Sequence, residues 1–135
     1  MASSLYGKGR EKFLKGEIAW DTQAIRAVLI DTGNYTVDID VDEYHSDLPA
    51  AAIVATSGNL TAKTTTLGVA DAANVTFSTV SGNTIEAIVI YQWTGTSSDS
   101  PLIAYIDSGT NLPLTPNGGD ITVAWDSGSN RIFKL

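Results

Sequence analysis

Beyond residue 23 the sequence is a succession of short runs rich in valine, isoleucine and threonine, each closed after a few residues by glycine, asparagine or serine. Such runs are too short for the sustained 3.6-residue apolar period of a packed helix, and their β-branched content suits a pleated surface instead. The spacing therefore predicts many short strands in an all-β domain, an antiparallel β-sandwich or a barrel-like variant of one. Tight connections between neighbours make antiparallel pairing the expectation, because parallel strands need crossovers of roughly a dozen residues or more.

The strands are expected in "AIRAVLID" (24–31), "YTVDIDV" (35–41), "AAIVATS" (51–57), "LTAKTTTL" (60–67), "NVTFSTV" (74–80), "TIEAIVIYQW" (84–93), "PLIAYID" (101–107), "DITVAWD" (120–126) and "RIFKL" (131–135). Gly33-Asn34 reads as the tight turn of a hairpin joining the first two, Gly58-Asn59 as a second such turn, and "SGSN" as the turn of a C-terminal hairpin. The near-continuous apolar text of 84–93 marks a central strand buried on both faces. Ahead of all this, "GKGREKFLKGEIAW" allows one short helix between Gly9 and Gly16.

A length of 135 residues corresponds to one domain, able to bury roughly 65–70% of its unfolded surface without staples. The chain has no cysteine, so no disulfide or thiolate metal site forms, and a reducing cytosol suits it. No stretch approaches the ~18 apolar residues of a membrane helix, and nothing at the start reads as an export signal. Three Asn-x-Thr triplets, at Asn34, Asn59 and Asn74, are expected by chance in a chain so rich in threonine.

Charge divides the chain. Residues 1–26 carry a net +2, residues 27–130 a net −11, and the whole −7. So acidic a body argues against a nucleic-acid surface. The boundary suggests an N-terminal arm, residues 1–23, attached to a single β-domain of residues 24–135. Leu5, Tyr6, Phe13, Leu14 and Trp20 are the apolar residues with which that arm would dock on a neighbouring subunit or fold back on its own domain.

The acidic stretch "DIDVDEYHSD" (38–47) raises the question of metal binding, with Asp38, Asp40 and Asp42 as the candidate ligands. In an extended strand these three share one face and Val37, Ile39 and Val41 the other, which describes a solvated edge strand. A calcium loop starting at Asp38 would need glycine sixth and glutamate twelfth, where Glu43 and Pro49 stand. No metal and no cofactor are expected.

Catalytic arrangements fare no better. His45 is the single histidine, no G-x-S-x-G elbow accompanies it, acidic pairs are too common here to be informative, and "GKGR" lacks the phosphate-loop spacing. The expectation is a protein that is not an enzyme. Trp20, Trp93, Trp125, Tyr91 and Tyr105 could form a sugar-stacking platform, although Tyr91 with Trp93 and Val123 with Trp125 also share strand faces as core residues do.

The segments "FLKGEIAW", "SDLP", "VATSGNLTAKT", "GVADAANVTF", "VSGNTIEAIVIY", "LIAYID" and "LPLTPNGGDITVAWDSGSNRIFKL", in that order, resemble a family of small tailed-bacteriophage virion structural proteins. The resemblance runs from Tyr6 to Leu135, is most specific in its last 21 residues, and departs at the acidic text "VDIDVDEY". It implies a capsid decoration or cement subunit in the virion, assembled in the host bacterial cytoplasm. Its partners would be the major capsid protein or other virion proteins, with further copies of itself, a trimer being favoured, and neither nucleic acid nor membrane involved. A head-to-tail or tail component, and a carbohydrate-binding module for host-surface glycans, are the alternatives. The family brings no catalytic residue to transfer.

Overall fold

The computed structural model describes residues 4–108, 112–125, 128 and 132–135. Its strands are β1 (Ser4–Leu5), β2 (Ile25–Ile30), β3 (Ile53–Thr56), β4 (Val69–Ala70), β5 (Val75–Phe77), β6 (Ala87–Gln92), β7 (Leu102–Ile106), β8 (Ile121–Val123) and β9 (Phe133–Lys134), with one helix, α1 (Gly7–Leu14). The domain is all-β, as the short β-branched runs predict. Five strands form an open sheet in the order β1-β7-β6-β2-β3, and β4 with β9 and β5 with β8 form two small ladders. All of these pairings are antiparallel.

The central position of β6 follows from its composition: all six residues of "AIVIYQ" are buried. Alternate side chains supply different cores. Ala87, Val89 and Tyr91 join Val28, Ile30, Tyr35, Leu48 and Leu102 on one side. On the other, Ile90 joins Ile18, Trp20, Ile25 and Ile103, while Ile88 joins Ala27, Leu29 and Phe77. The two small ladders cover that second side, Val75, Ile121 and Val123 packing on the Ile88 cluster and Phe133 on the Ile90 cluster.

Three strand assignments need correction. Residues 35–41 form no strand, and β2 is not in a hairpin with them; its neighbours are β6 and β3. The segment instead turns at Asp38, whose carbonyl accepts the Val41 and Asp42 amides at 3.1 and 2.9 Å. Residues 60–67 carry only the isolated bridge Thr64–Asp71, because Ala62 and Leu67 adopt left-handed φ of 51° and 55°. The expected C-terminal hairpin is not made either. Phe77 pairs with Ile121 and Val69 with Lys134, so β8 and β9 reach back to separate partners. The "SGSN" turn, apart from Gly128, lies outside the described residues.

Residues 4–23 are built into the same body. β1 pairs with β7, Ser4 opposite Tyr105, and the Tyr6 amide donates to the Ile103 carbonyl at 2.9 Å. Tyr6 is fully buried, Ile18 and Trp20 nearly so, and Leu5 and Phe13 pack against the Ile90 cluster. Gly9 explains how α1 lies so close to β7. A Cβ there would sit 2.5 Å from the Leu102 carbonyl oxygen, a clash with backbone that any side chain would force apart.

Candidate functional site

Two polar assemblies stand out. The first ties the N-terminal segment to the acidic stretch. The Tyr35 hydroxyl donates to Asp42 Oδ2 at 2.6 Å and lies 2.9 Å from the Tyr6 hydroxyl, so Tyr6 in turn donates to Tyr35. The same Asp42 oxygen accepts the Asp38 amide at 3.0 Å. Burial pushes both phenols well above the ordinary tyrosine value, and for Tyr35 the adjacent Asp42 carboxylate adds to it.

Asp42, one of the three candidate metal ligands, is therefore occupied as an internal acceptor. Asp38 and Asp40 are exposed. Among the described residues no group of three or more acids or histidines is placed to hold a metal ion. The Gly7 amide donates to the Ile39 carbonyl at 2.8 Å, and Lys12 spans the same seam, 3.0 Å from Glu43, 3.6 Å from Glu17 and 5.1 Å above the Tyr44 ring. Burial works against the charge on Lys12, but its bonds to Glu43 and Tyr44 outweigh that and raise its pKa. Of the five residues expected in the arm, four pack inward and only Leu14, 90% exposed, faces out.

The second assembly lies where β6 ends, β2 begins and the loops around residues 44–48, 57–60 and 93–101 gather. The Arg26 guanidinium lies 5.2 Å from the centre of the Trp93 ring, and its Nε–H donates to Asn59 Oδ1 at 2.9 Å. Trp93 stands perpendicular to Tyr91 at 6.3 Å, and the His45 ring packs 4.6 Å from Tyr91 and 6.3 Å from Trp93. His45 Nδ1 meets Ser97 Oγ at 2.6 Å. Burial lowers the His45 pKa and raises that of Tyr91, the latter partly offset by Arg26.

The His45–Ser97 contact brings together residues 52 positions apart, and no spacing in the sequence marks it. Among the described residues no carboxylate engages the other ring nitrogen, which is what would fix an imidazole as a general base. The pair joins two 3₁₀ turns, residues 45–47 and 97–99. Of the aromatics weighed as a sugar platform, Trp20, Tyr91 and Tyr105 are buried, while Trp93 and Trp125 are half-buried, the Trp125 indole N–H donating to the Ala73 carbonyl at 3.1 Å.

A scan against models of protein families finds no match for this chain, and a search of curated proteins finds none either.

Proposed function

We propose that this protein is a non-enzymatic structural subunit of a tailed-bacteriophage virion, a capsid decoration or cement protein that stabilises the head. The observation that carries this reading is the resemblance running in order from Tyr6 to Leu135. Two structural features fit it. The acidic stretch and the N-terminal segment are spent on internal latches through Asp42 and Lys12, giving a subunit folded before it meets its partner. Leu14, Leu67 and Leu135 stand 90%, 89% and 61% exposed, and these are apolar points at which a neighbouring subunit or the major capsid protein would gain contact area. Self-association into a cyclic homo-oligomer, with a trimer favoured, belongs to the same proposal.

Quantitative mass spectrometry of purified particles tests it, counting copies of this chain against the major capsid protein. A count comparable to the capsid subunit is the expected result. A few copies per particle would move the protein to the head-to-tail joint or the tail, and absence from particles would overturn the virion reading.

A further inference from the structure

We propose that a cleft at the other end of the central sheet is a binding site for a primary alkylammonium ion, held between the carboxylates of Glu86 and Asp107. The inference goes beyond the virion reading and does not depend on it.

The strand register builds the cleft. Ile30 lies opposite Ala87 and Ile88 opposite Ile106, so Thr32, Glu86 and Asp107, just beyond these strand ends, reach the same end of the sheet. With Tyr105, Leu112 and Pro113 they line a cleft of about 250 Å³. The Thr32 amide donates to Glu86 Oε1 at 2.9 Å and sets that side chain. Asp31, itself held by Gly33, Asn34 and Asn83, is near enough to Glu86 to interact with it. Burial raises the Tyr105 pKa, and Asp107 and Glu86 raise it further, so both carboxylates act on one phenol.

The cleft has no counter-charge of its own. Among the described residues neither Glu86 nor Asp107 has a basic side chain within ion-pair distance, the ion pairs there belonging to Lys12 and Lys15. Lys63, the single basic residue of 27–130, donates instead to the Gln23 carbonyl. Asp107, which lines the cleft, keeps its Oδ1 out of water with no hydrogen-bond partner among the described residues. An acceptor in that state costs stability, and a cation that brings N–H donors removes the cost.

The lining selects the kind of cation. Two carboxylates fall well short of the roughly six to eight oxygen ligands of a calcium ion. No group of three or more acids or histidines among the described residues is placed to hold a metal. An ammonium asks for less, since its three N–H groups are met by two carboxylates and the Thr32 hydroxyl. Leu112 and Pro113 give the methylene stem an apolar wall, of the kind along which the stem of a lysine lies. A lysine side chain of another chain and a free amine present this same group.

The test is a titration followed by backbone amide NMR shifts and by thermal melting, the salts compared at equal ionic strength. The probes are n-butylammonium and Nα-acetyl-lysine methylamide; tetramethylammonium is the cation without N–H donors, n-butanol the neutral control, and calcium the metal control. Wild-type protein is expected to bind at least one probe at least tenfold more tightly than any control, with shifts clustered at residues 32, 86, 105 and 107. Its melting temperature should rise further with that probe than with tetramethylammonium. Tighter binding of the lysine derivative assigns the site to a side chain of another chain, and tighter binding of butylammonium to a free amine. Asp107→Asn is expected to lose at least tenfold in affinity yet to melt no lower than wild type without ligand, because it removes a carboxylate whose Oδ1 the fold leaves without a donor. Glu86→Gln, which keeps an acceptor for the Thr32 amide, is expected to lose affinity comparably. Equal binding of tetramethylammonium or butanol, tighter binding of calcium, unchanged affinity in Asp107→Asn, a clear loss of its ligand-free stability, or no binding by the wild type would each overturn the proposal. None of these results bears on the copy number in particles, so the two readings fail separately.

Discussion

Tyr35 shows how a single side chain decides a local conformation that sequence pattern alone misreads. Residues 35–41 alternate apolar and acidic side chains, the signature of a half-buried strand, yet Asp42 accepts bonds from the Tyr35 hydroxyl and the Asp38 amide and curls the segment instead. What the pattern could not disclose was Tyr6, 29 residues away, waiting behind Tyr35 in the core. Tyr35→Phe would strip both Asp42 and Tyr6 of a buried partner, at a cost of about 1–3 kcal/mol measurable by urea denaturation at neutral pH. The same phenols govern alkaline behaviour. Their folded pKa values are raised, so their contribution is complete below the ordinary tyrosine value of about 10 and is lost as pH rises beyond it, where unfolded tyrosines ionise and the folded ones resist. Stability should therefore fall above about pH 10, and the fall should be shallower in Tyr35→Phe, since one linked proton has been removed. An equal slope in the two proteins would show that the chain through Asp42 does not hold in solution.

At the scale of elements, the strands most legible in the sequence are those buried on both faces. β2, β6 and β7 lie within 24–31, 84–93 and 101–107 because a run of apolar residues with no polar face can go only to the middle of a sheet. Strand partners were far less legible, since β4 finds β9 and β5 finds β8 across long stretches of chain that no turn signal links. The N-terminal segment was legible as a charged unit but not as part of the core. Charge reports the exposed residues of α1, whereas the buried Tyr6, Ile18 and Trp20, which flank the helix, report the contact with the core. A fragment of residues 24–135 should consequently fail to fold on its own. Losing three buried side chains worth about 1.5–3 kcal/mol each removes on the order of 6 kcal/mol, comparable to the ~5–15 kcal/mol that holds a domain together. Thermal melting of the fragment should show no cooperative transition; a sharp one would make the charge boundary a true domain boundary.

For the whole molecule, the acidic body is a source of self-repulsion that the few ion pairs among the described residues do little to relieve. Raising ionic strength from about 0.01 M to about 0.1 M shortens the screening length from ~30 Å to ~10 Å and should raise the melting temperature. A decrease would mean that the Lys12 contacts outweigh the net −7. The candidate site belongs to this scale too. Trp93 and Tyr91 were visible as a pair on one strand face, but Arg26, Asn59, His45 and Ser97 come from four other places, and only the closing of the sheet brings them to one end.

The pairing of β1 with β7 has a consequence for the order of synthesis. Ser4 lies opposite Tyr105 and Val69 opposite Lys134, so β1 waits for residues about a hundred positions later, and β4 for residues about 65 positions later. Contacts so distant along the chain are slow to form and leave edges open in the interim. A polypeptide stalled before residue 106 has neither a complete β7 for its sheet nor a full seat for Tyr6, and a prematurely terminated product cannot pass for the finished fold.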